Sequence, residues 1–282
     1  MSLSGLQNSI DRLRKVFPPY YLQPLILLSY NITASLIFNF ERPNWIFAAG
    51  VLSGLVVHCL IGHFVFGKIG NLAISCTVSF GGMLQMYSPE YWPYLILPII
   101  GNLSKGLVLF KGRHIFNPSN LALVFMFEFF PHTVVGNNSI FSHYLGVGAI
   151  FFLLGTINVL YARQATTAFA WYIAFVVFNY IRFRLIANAP FNFALIALNP
   201  LIILFTFHMI TDPMTTPITR IGKVIFAVTV ALLDALMRNQ NFPQSNYYAL
   251  FFITAFMPLI WEVEKRWAGV TGTPQPRRAA GA

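Results

Sequence analysis

The chain has 282 residues, 57% of them hydrophobic and only 9% charged, with a mean hydropathy of +0.66. A soluble domain carries about a quarter of its residues as charges, so this composition excludes an ordinary water-soluble fold and describes a polytopic membrane protein. The net charge of +10 does not imply nucleic acid as a partner, because the basic residues sit between apolar runs, as topology-setting loops and contacts with anionic lipid do.

In chain order, Met1–Val16 is polar and lacks the apolar core of a cleavable signal peptide. Ten apolar runs follow, each near the length that spans a bilayer. They are Tyr20–Asn39, Asn44–Phe64, Ile69–Met86, Tyr91–Leu109, Pro118–Val135, Ser142–Tyr161, Ala165–Ile181, Phe191–Ile210, Ile221–Met237 and Tyr247–Trp261. Glu128 interrupts the fifth, and prolines bracket it. The predicted fold class is an all-α polytopic membrane protein of about ten transmembrane helices, one domain over residues 20–268. Residues 1–19 form a cytoplasmic N-terminal segment, and the Pro/Gly/Ala-rich tail 269–282 is expected to be disordered. Ten spans divide into five plus five, and an odd-numbered half must insert in the opposite sense to its twin. The possible inverted repeats are 20–135 and 142–266, although no internal sequence repeat stands out.

Lysine and arginine orient the chain. With a cytoplasmic N-terminus, fourteen of the 18 basic residues fall inside and four, Arg42, Arg182, Arg184 and Arg238, outside. Both termini are then cytoplasmic, in a bacterial inner membrane.

Two polar stretches break the apolar pattern. Lys111–Asn120, KGRHIFNPSN, offers Lys111, Arg113, His114, and the amides Asn117 and Asn120 around Pro118. Asparagine before proline caps and opens a helix, and a helix N-terminus beside two cations also suits an anion such as phosphate. His208–Arg220, HMITDPMTTPITR, carries Asp212, Pro213, Pro217 and four threonines, Thr211, Thr215, Thr216 and Thr219. Proline disfavours helix in the residue before it, so the eighth helix should break near Asp212. Broken backbone at membrane depth must be satisfied by protein, water or ligand. Asp212 either bonds that broken backbone or reads the N–H edge of a ring or a cation. His208 lies one turn earlier if the helix persists.

The remaining polar residues read more plainly. Asp234 and Arg238 stand at i,i+4 as an ion pair near the outer end of the ninth helix. Glu128 has no sequence partner and is expected near the outer surface. His58 and His63 point apart on one helix, which disfavours haem. Cys59 and Cys76 have no metal-ligand spacing, so no metal is expected. No nucleophile elbow, phosphate loop or carboxylate pair appears, which leaves hydrolytic chemistry without residues.

These motifs together resemble a known family. FNPSN at Phe116–Asn120 is similar to the FNPA element of two membrane flavoprotein subunits, the B subunit of the sodium-translocating NADH:quinone reductase and the D subunit of the Rnf electron-transport complex. Phe207–Ala227 resembles their F-x-x-TDPVT-x-x-T-x-x-G-x-x-I-F-G segment in register, and Met237–Arg238, Tyr248–Phe256 and Pro258 continue the likeness. The resemblance implies ten helices in two inverted halves, related to urea-type channels, and electron transfer through flavins. It also implies an FMN phosphoester-linked to a threonine on the outer loop between helices five and six. Here that loop, Gly136–Phe141, has no threonine, and RQAT at Arg163–Thr166 falls on the cytoplasmic side. The covalent FMN is therefore expected to be absent, while a non-covalent riboflavin or FMN can remain near the cytoplasmic side. Its expected binding residues are Arg113, Asn117, Pro118, Asn120, His208, Thr211, Asp212 and Thr215. The shortened form resembles stand-alone relatives encoded beside enediyne biosynthesis genes.

Three functions fit this reading. One is a redox subunit passing electrons to or from partner proteins through a flavin. The second is a transporter or channel for flavin or another small polar solute, and the third a non-catalytic membrane subunit of a larger or biosynthetic complex. Beyond the lipid bilayer, redox or complex partner proteins are expected; nucleic acid is not.

Overall fold

Asparagine and proline set where the helices begin. The computed structural model describes Arg12 and residues 14–37, 43–136 and 145–268. Its helices are α1 Pro19–Ile37, α2 Asn44–Phe64, α3 Leu72–Gln85, α4 Pro93–Leu107, α5 Pro118–Phe129 and α6 Leu145–Tyr161. They continue with α7 Ala165–Ile181, α8 Phe193–Ala197, α9 Pro200–Leu204, α10 Arg220–Asn239, α11 Ser245–Ala255 and α12 Met257–Ala268. The side chains of Asn71, Asn117, Asn192 and Asn199 accept from the first free amides of α3, α5, α8 and α9. Such caps satisfy amides that an apolar surrounding leaves without water. Wide π-helical turns extend α7 through Arg182–Ile186 and α9 through Phe205–Met209.

Two short antiparallel ribbons were not expected of an all-α chain. β1, Met86–Tyr87, pairs with β4, Val135–Gly136; β2, Leu109–Phe110, pairs with β3, Arg113–His114. The second closes through Lys111 and Gly112, both at positive φ (49° and 78°), the two-residue turn that suits strand twist.

Helix packing repeats once along the chain. α1 lies on α3, α2 on α4 and α4 on α5; then α6 lies on α9, α7 on α10 and α10 on α11. Between these sets, α1 meets α6 and α5 meets α11. One apolar core gathers Leu27, Tyr30, Phe80, Phe151, Leu204 and Phe207; the other centres on Met83, Leu97, Leu123, Trp171, Phe205 and Leu250. Outward rows such as Leu52, Val56 and Leu60 on α2, or Ile150, Leu153, Ile157 and Leu160 on α6, leave an apolar rim suited to lipid. Close approach depends on glycine. A Cβ on Gly50 would lie 2.4 Å from the Tyr94 carbonyl oxygen, and one on Gly148 would lie 1.9 Å from that of Leu198.

Among the described residues, α2 and the run Ala165–Ile186 are long and apolar enough to cross a bilayer, and α11 with α12 form a third candidate bent by 53°. The ninth run is one helix, α10, while two others end early or break. The fifth stops at Phe129, two residues before Pro131, and the eighth is divided at Pro200. α4 contains Pro98 and buries Lys105 in its last turn. The tail 269–282, most of the N-terminal segment and most of the threonine-free loop lie outside the described residues.

Candidate functional site

The β2–β3 turn carries Arg113 into the protein, where it meets the loop that follows α9. Its Nη2 donates to the carbonyls of Pro213 (2.9 Å) and Thr216 (3.0 Å), and its Nε to that of Met214 (3.2 Å). The guanidinium lies 4.3 Å from the Trp261 ring, and the indole N–H donates to the same Thr216 carbonyl at 3.1 Å. Asn117 works in two directions. Its Oδ1 caps α5 by accepting from the Asn120 amide (3.0 Å), and its Nδ2 donates to the Met209 carbonyl (3.1 Å). The two polar stretches, 100 residues apart in sequence, thus form one unit.

The loop itself closes on local bonds. Helical structure stops at Met209, and Asp212 Oδ1 accepts from the Met214 amide at 2.9 Å, an Asx turn ahead of Pro213. Burial raises the Asp212 pKa, opposed by that amide and by the charges of Lys105 and Arg113. Thr211 Oγ1 donates to the Phe207 carbonyl, and Thr215 Oγ1 to that of Asp212. Glu264 on α12 fastens the far end, accepting from the amides of Ile218 (2.7 Å) and Thr219 (3.1 Å) ahead of α10.

Of the eight expected residues, Arg113, Asn117, Thr211, Asp212 and Thr215 belong to this junction, and Pro118 is the first residue of α5. Asn120 is one turn deeper, donating to the Tyr247 carbonyl of α11 at 3.1 Å. His208 is turned elsewhere. Its ring meets Tyr30 of α1 edge-on at 5.6 Å and Asn158 of α6 at 3.5 Å. The wide turn 205–209 followed by the helix end removes the i,i+4 relation to Asp212.

Several residues escaped sequence reasoning. Lys105 counted as a loop cation, yet it is buried, donating to the Ile74 carbonyl (3.0 Å) and Asn102 Oδ1 (3.4 Å). The spacing Asn102–Lys105 on one helical face was the available signal. His114, packed beside the junction, has its pKa pushed down to about 4 by burial and then by Lys105. Trp261 and Glu264 carry no local signal, since their partners are distant in sequence; the buried Thr216 lay in the second polar stretch but not among the expected binding residues. Glu128, which had no sequence partner, accepts from the Tyr248 hydroxyl at 3.1 Å.

Polar atoms without partners concentrate here. Among the described residues, nine buried side-chain nitrogen or oxygen atoms lack a hydrogen bond, and four belong to the two stretches: His114 Nδ1, Asn120 Oδ1, His208 Nε2 and Thr216 Oγ1. Unpaired buried polar groups are costly, so such a group in a folded protein calls for a partner. No group of three or more potential metal ligands occurs among the described residues.

No family model matches the chain. Over 51 residues it is 41% identical to the D subunit of the ion-translocating oxidoreductase complex of Stutzerimonas stutzeri. That stretch covers 18% of this chain and 14% of the relative. The apolar helices and this short similarity together point to a membrane protein.

Proposed function

We propose that this chain is an integral membrane component of an electron-transport complex, holding a non-covalent flavin, riboflavin or FMN, where the stretches 113–120 and 208–216 meet. The observation that carries the reading is the presence of three of the unpartnered polar atoms in those two stretches, His114 Nδ1, Asn120 Oδ1 and Thr216 Oγ1. The pyrimidine edge of a flavin alternates N–H donors with carbonyl acceptors. Asn120 Oδ1 fits such a donor, and the Thr216 hydroxyl fits either partner. Asp212, one oxygen already held by the Met214 amide, keeps its other oxygen for a ring N–H. A bound flavin supplies one- and two-electron redox chemistry; the residues here bind and orient its ring and set the charge around it. Arg113 and Trp261 hold the loop in shape, positioning Asp212 without needing to touch the flavin.

The repeated helix pairing supports two five-helix halves near 20–135 and 142–266, in the inverted sense that an odd number of spans imposes. The basic end, with Lys111, Arg113, Arg220 and Lys265, faces the cytoplasm of a bacterial inner membrane in this reading, and partner proteins supply the electron donor and acceptor.

The test is a visible spectrum of the purified protein, followed by acid precipitation. Flavin is expected in the supernatant, bleaching reversibly on reduction, and Asp212→Ala and Asn120→Ala are expected to lose it while eluting as folded protein. Colourless wild-type protein, or normal flavin content in both variants, would refute the assignment.

A second reading, a transporter for flavin or another small polar solute, rests on α5 and α11. At 12 and 11 residues they are about 18 and 17 Å long, too short to span, and they meet near their N-termini through Asn120 and Tyr247. Such paired short helices form solute sites in transporters. Solute uptake into reconstituted vesicles above that of empty vesicles would favour it.

A further inference from the structure

At the end of α10 remote from Asp212 lies a cavity of about 390 Å³, bordered by Arg182, Asn199, Arg238, Gln244 and Asn246. α10 separates the two places by its 20 residues, about 30 Å of helix. The cavity's charge is one-sided. Among the described residues, two guanidiniums line it and no carboxylate does. Asp234 sits behind the wall, wholly buried, with Arg238 Nε at 3.0 and 2.9 Å from its two oxygens and the Ser245 hydroxyl donating to it at 2.5 Å. That carboxylate gives its hydrogen bonds to Arg238 and Ser245 and reaches Arg182 only through its charge. Arg182 Nε is buried without a hydrogen-bond partner, and the guanidinium lies 4.4 Å from the Phe183 ring centroid.

The backbone is also irregular around this cavity. Arg182 opens the π-helical turn of α7, a deformation that recurs at functional sites and that aims the side chain differently from a regular helix. Gln244 has φ 49°, a left-handed conformation that costs free energy for a residue with a side chain. Asn199 gives its carbonyl to two amides of α9, so its NH₂ remains as a donor. The walls add the rings of Phe175, Phe183 and Phe242.

We propose that this cavity binds a phosphate-bearing anion, with Arg182 as the principal contact and Arg238 as the second. A planar guanidinium with unspent donors matches phosphate oxygens in pairs, and the absence of a lining carboxylate disfavours cations. The aromatic walls accommodate an apolar body attached to the phosphate. Either a phospholipid headgroup or a soluble phosphate ester carries that chemistry. The proposal does not rest on the flavin reading: the two places adjoin through Tyr247, but Arg182 and Arg238 are not among the residues assigned to the flavin.

The experiment uses full-length protein in neutral detergent, titrated with phenyl phosphate and followed by thermal shift, and in parallel native mass spectrometry after reconstitution with phosphatidylglycerol. A saturable shift with phenyl phosphate alone identifies a soluble ester; a retained phosphatidylglycerol adduct that phenyl phosphate does not displace identifies a lipid headgroup. In either arm Arg182→Gln is expected to weaken binding at least tenfold and Arg182→Lys to weaken it less. Size-exclusion elution and helical circular dichroism of both variants establish folding. If Arg182→Gln is misfolded, competition by sulfate on the wild-type protein decides: sulfate should displace the probe. Absence of saturable binding of either probe, equal binding by Arg182→Gln, or insensitivity to sulfate would each overturn the proposal.

Discussion

Arg113 spends its guanidinium on three carbonyls of a loop that prolines have stripped of helical bonding. The Thr216 acceptor is buried and those of Pro213 and Met214 partly so, and leaving a buried acceptor unpaired costs about 1–3 kcal/mol. Arg113→Met should therefore destabilise the protein by about 2–4 kcal/mol, read as a lower melting temperature in detergent. Arg113→Lys restores the charge as a single point and should recover less than half of the loss. Equal stability of Arg113→Met and wild type would mean that the loop holds itself. The residue types at this junction were legible in sequence, because Asn-Pro and Asp-Pro advertise a cap and a break. Their partners were not. Arg113 was expected to face an anion, yet the structure uses it on backbone, and its stacking on Trp261 joins residues that no local pattern links.

At the scale of elements, apolar run length located helices well and their ends poorly. α2 and α7 match their runs, because apolar residues fill each continuously from cap to end. The eighth run looks continuous too, but Asn199 caps a fresh helix at Pro200 inside it, a stop that hydropathy does not register. The π-helical turns were equally silent, since they arise from packing rather than from propensity. Glycine positions make a sharper test. Gly148→Ala places a methyl against the Leu198 carbonyl and should cost about 1–3 kcal/mol as backbone gives way. Gly146→Ala, two residues earlier with open space around its Cβ, should be close to neutral. Comparable melting temperatures for the two variants would show that α6 does not pack as described.

For the whole molecule, the contacts sort the connecting segments into two ends. Lys111 pairs with Glu262 (2.9 Å), Lys223 with Gln164 (3.0 Å), and Arg113 with the loop after α9. At the other end β1 pairs with β4, and Gly136 adjoins Gln244. This division makes the orientation read from the basic residues testable. In a background with Cys59→Ala and Cys76→Ala, Arg184→Cys should react with an impermeant maleimide added outside intact cells. Lys265→Cys should react only after lysis. The reverse labelling would invert the molecule in the membrane.

The short helices α5 and α11 have a further consequence. They meet near their N-termini, where Asn120 of α5 donates to the Tyr247 carbonyl of α11. Peptide dipoles add along a helix, so each N-terminus carries about half a positive charge. Two such ends held together raise the electrostatic potential between them, most strongly where little water is present to screen it. Half-helices arranged this way repel protons and metal cations in water-conducting pores. The same arrangement here disfavours a cation between the two helix starts.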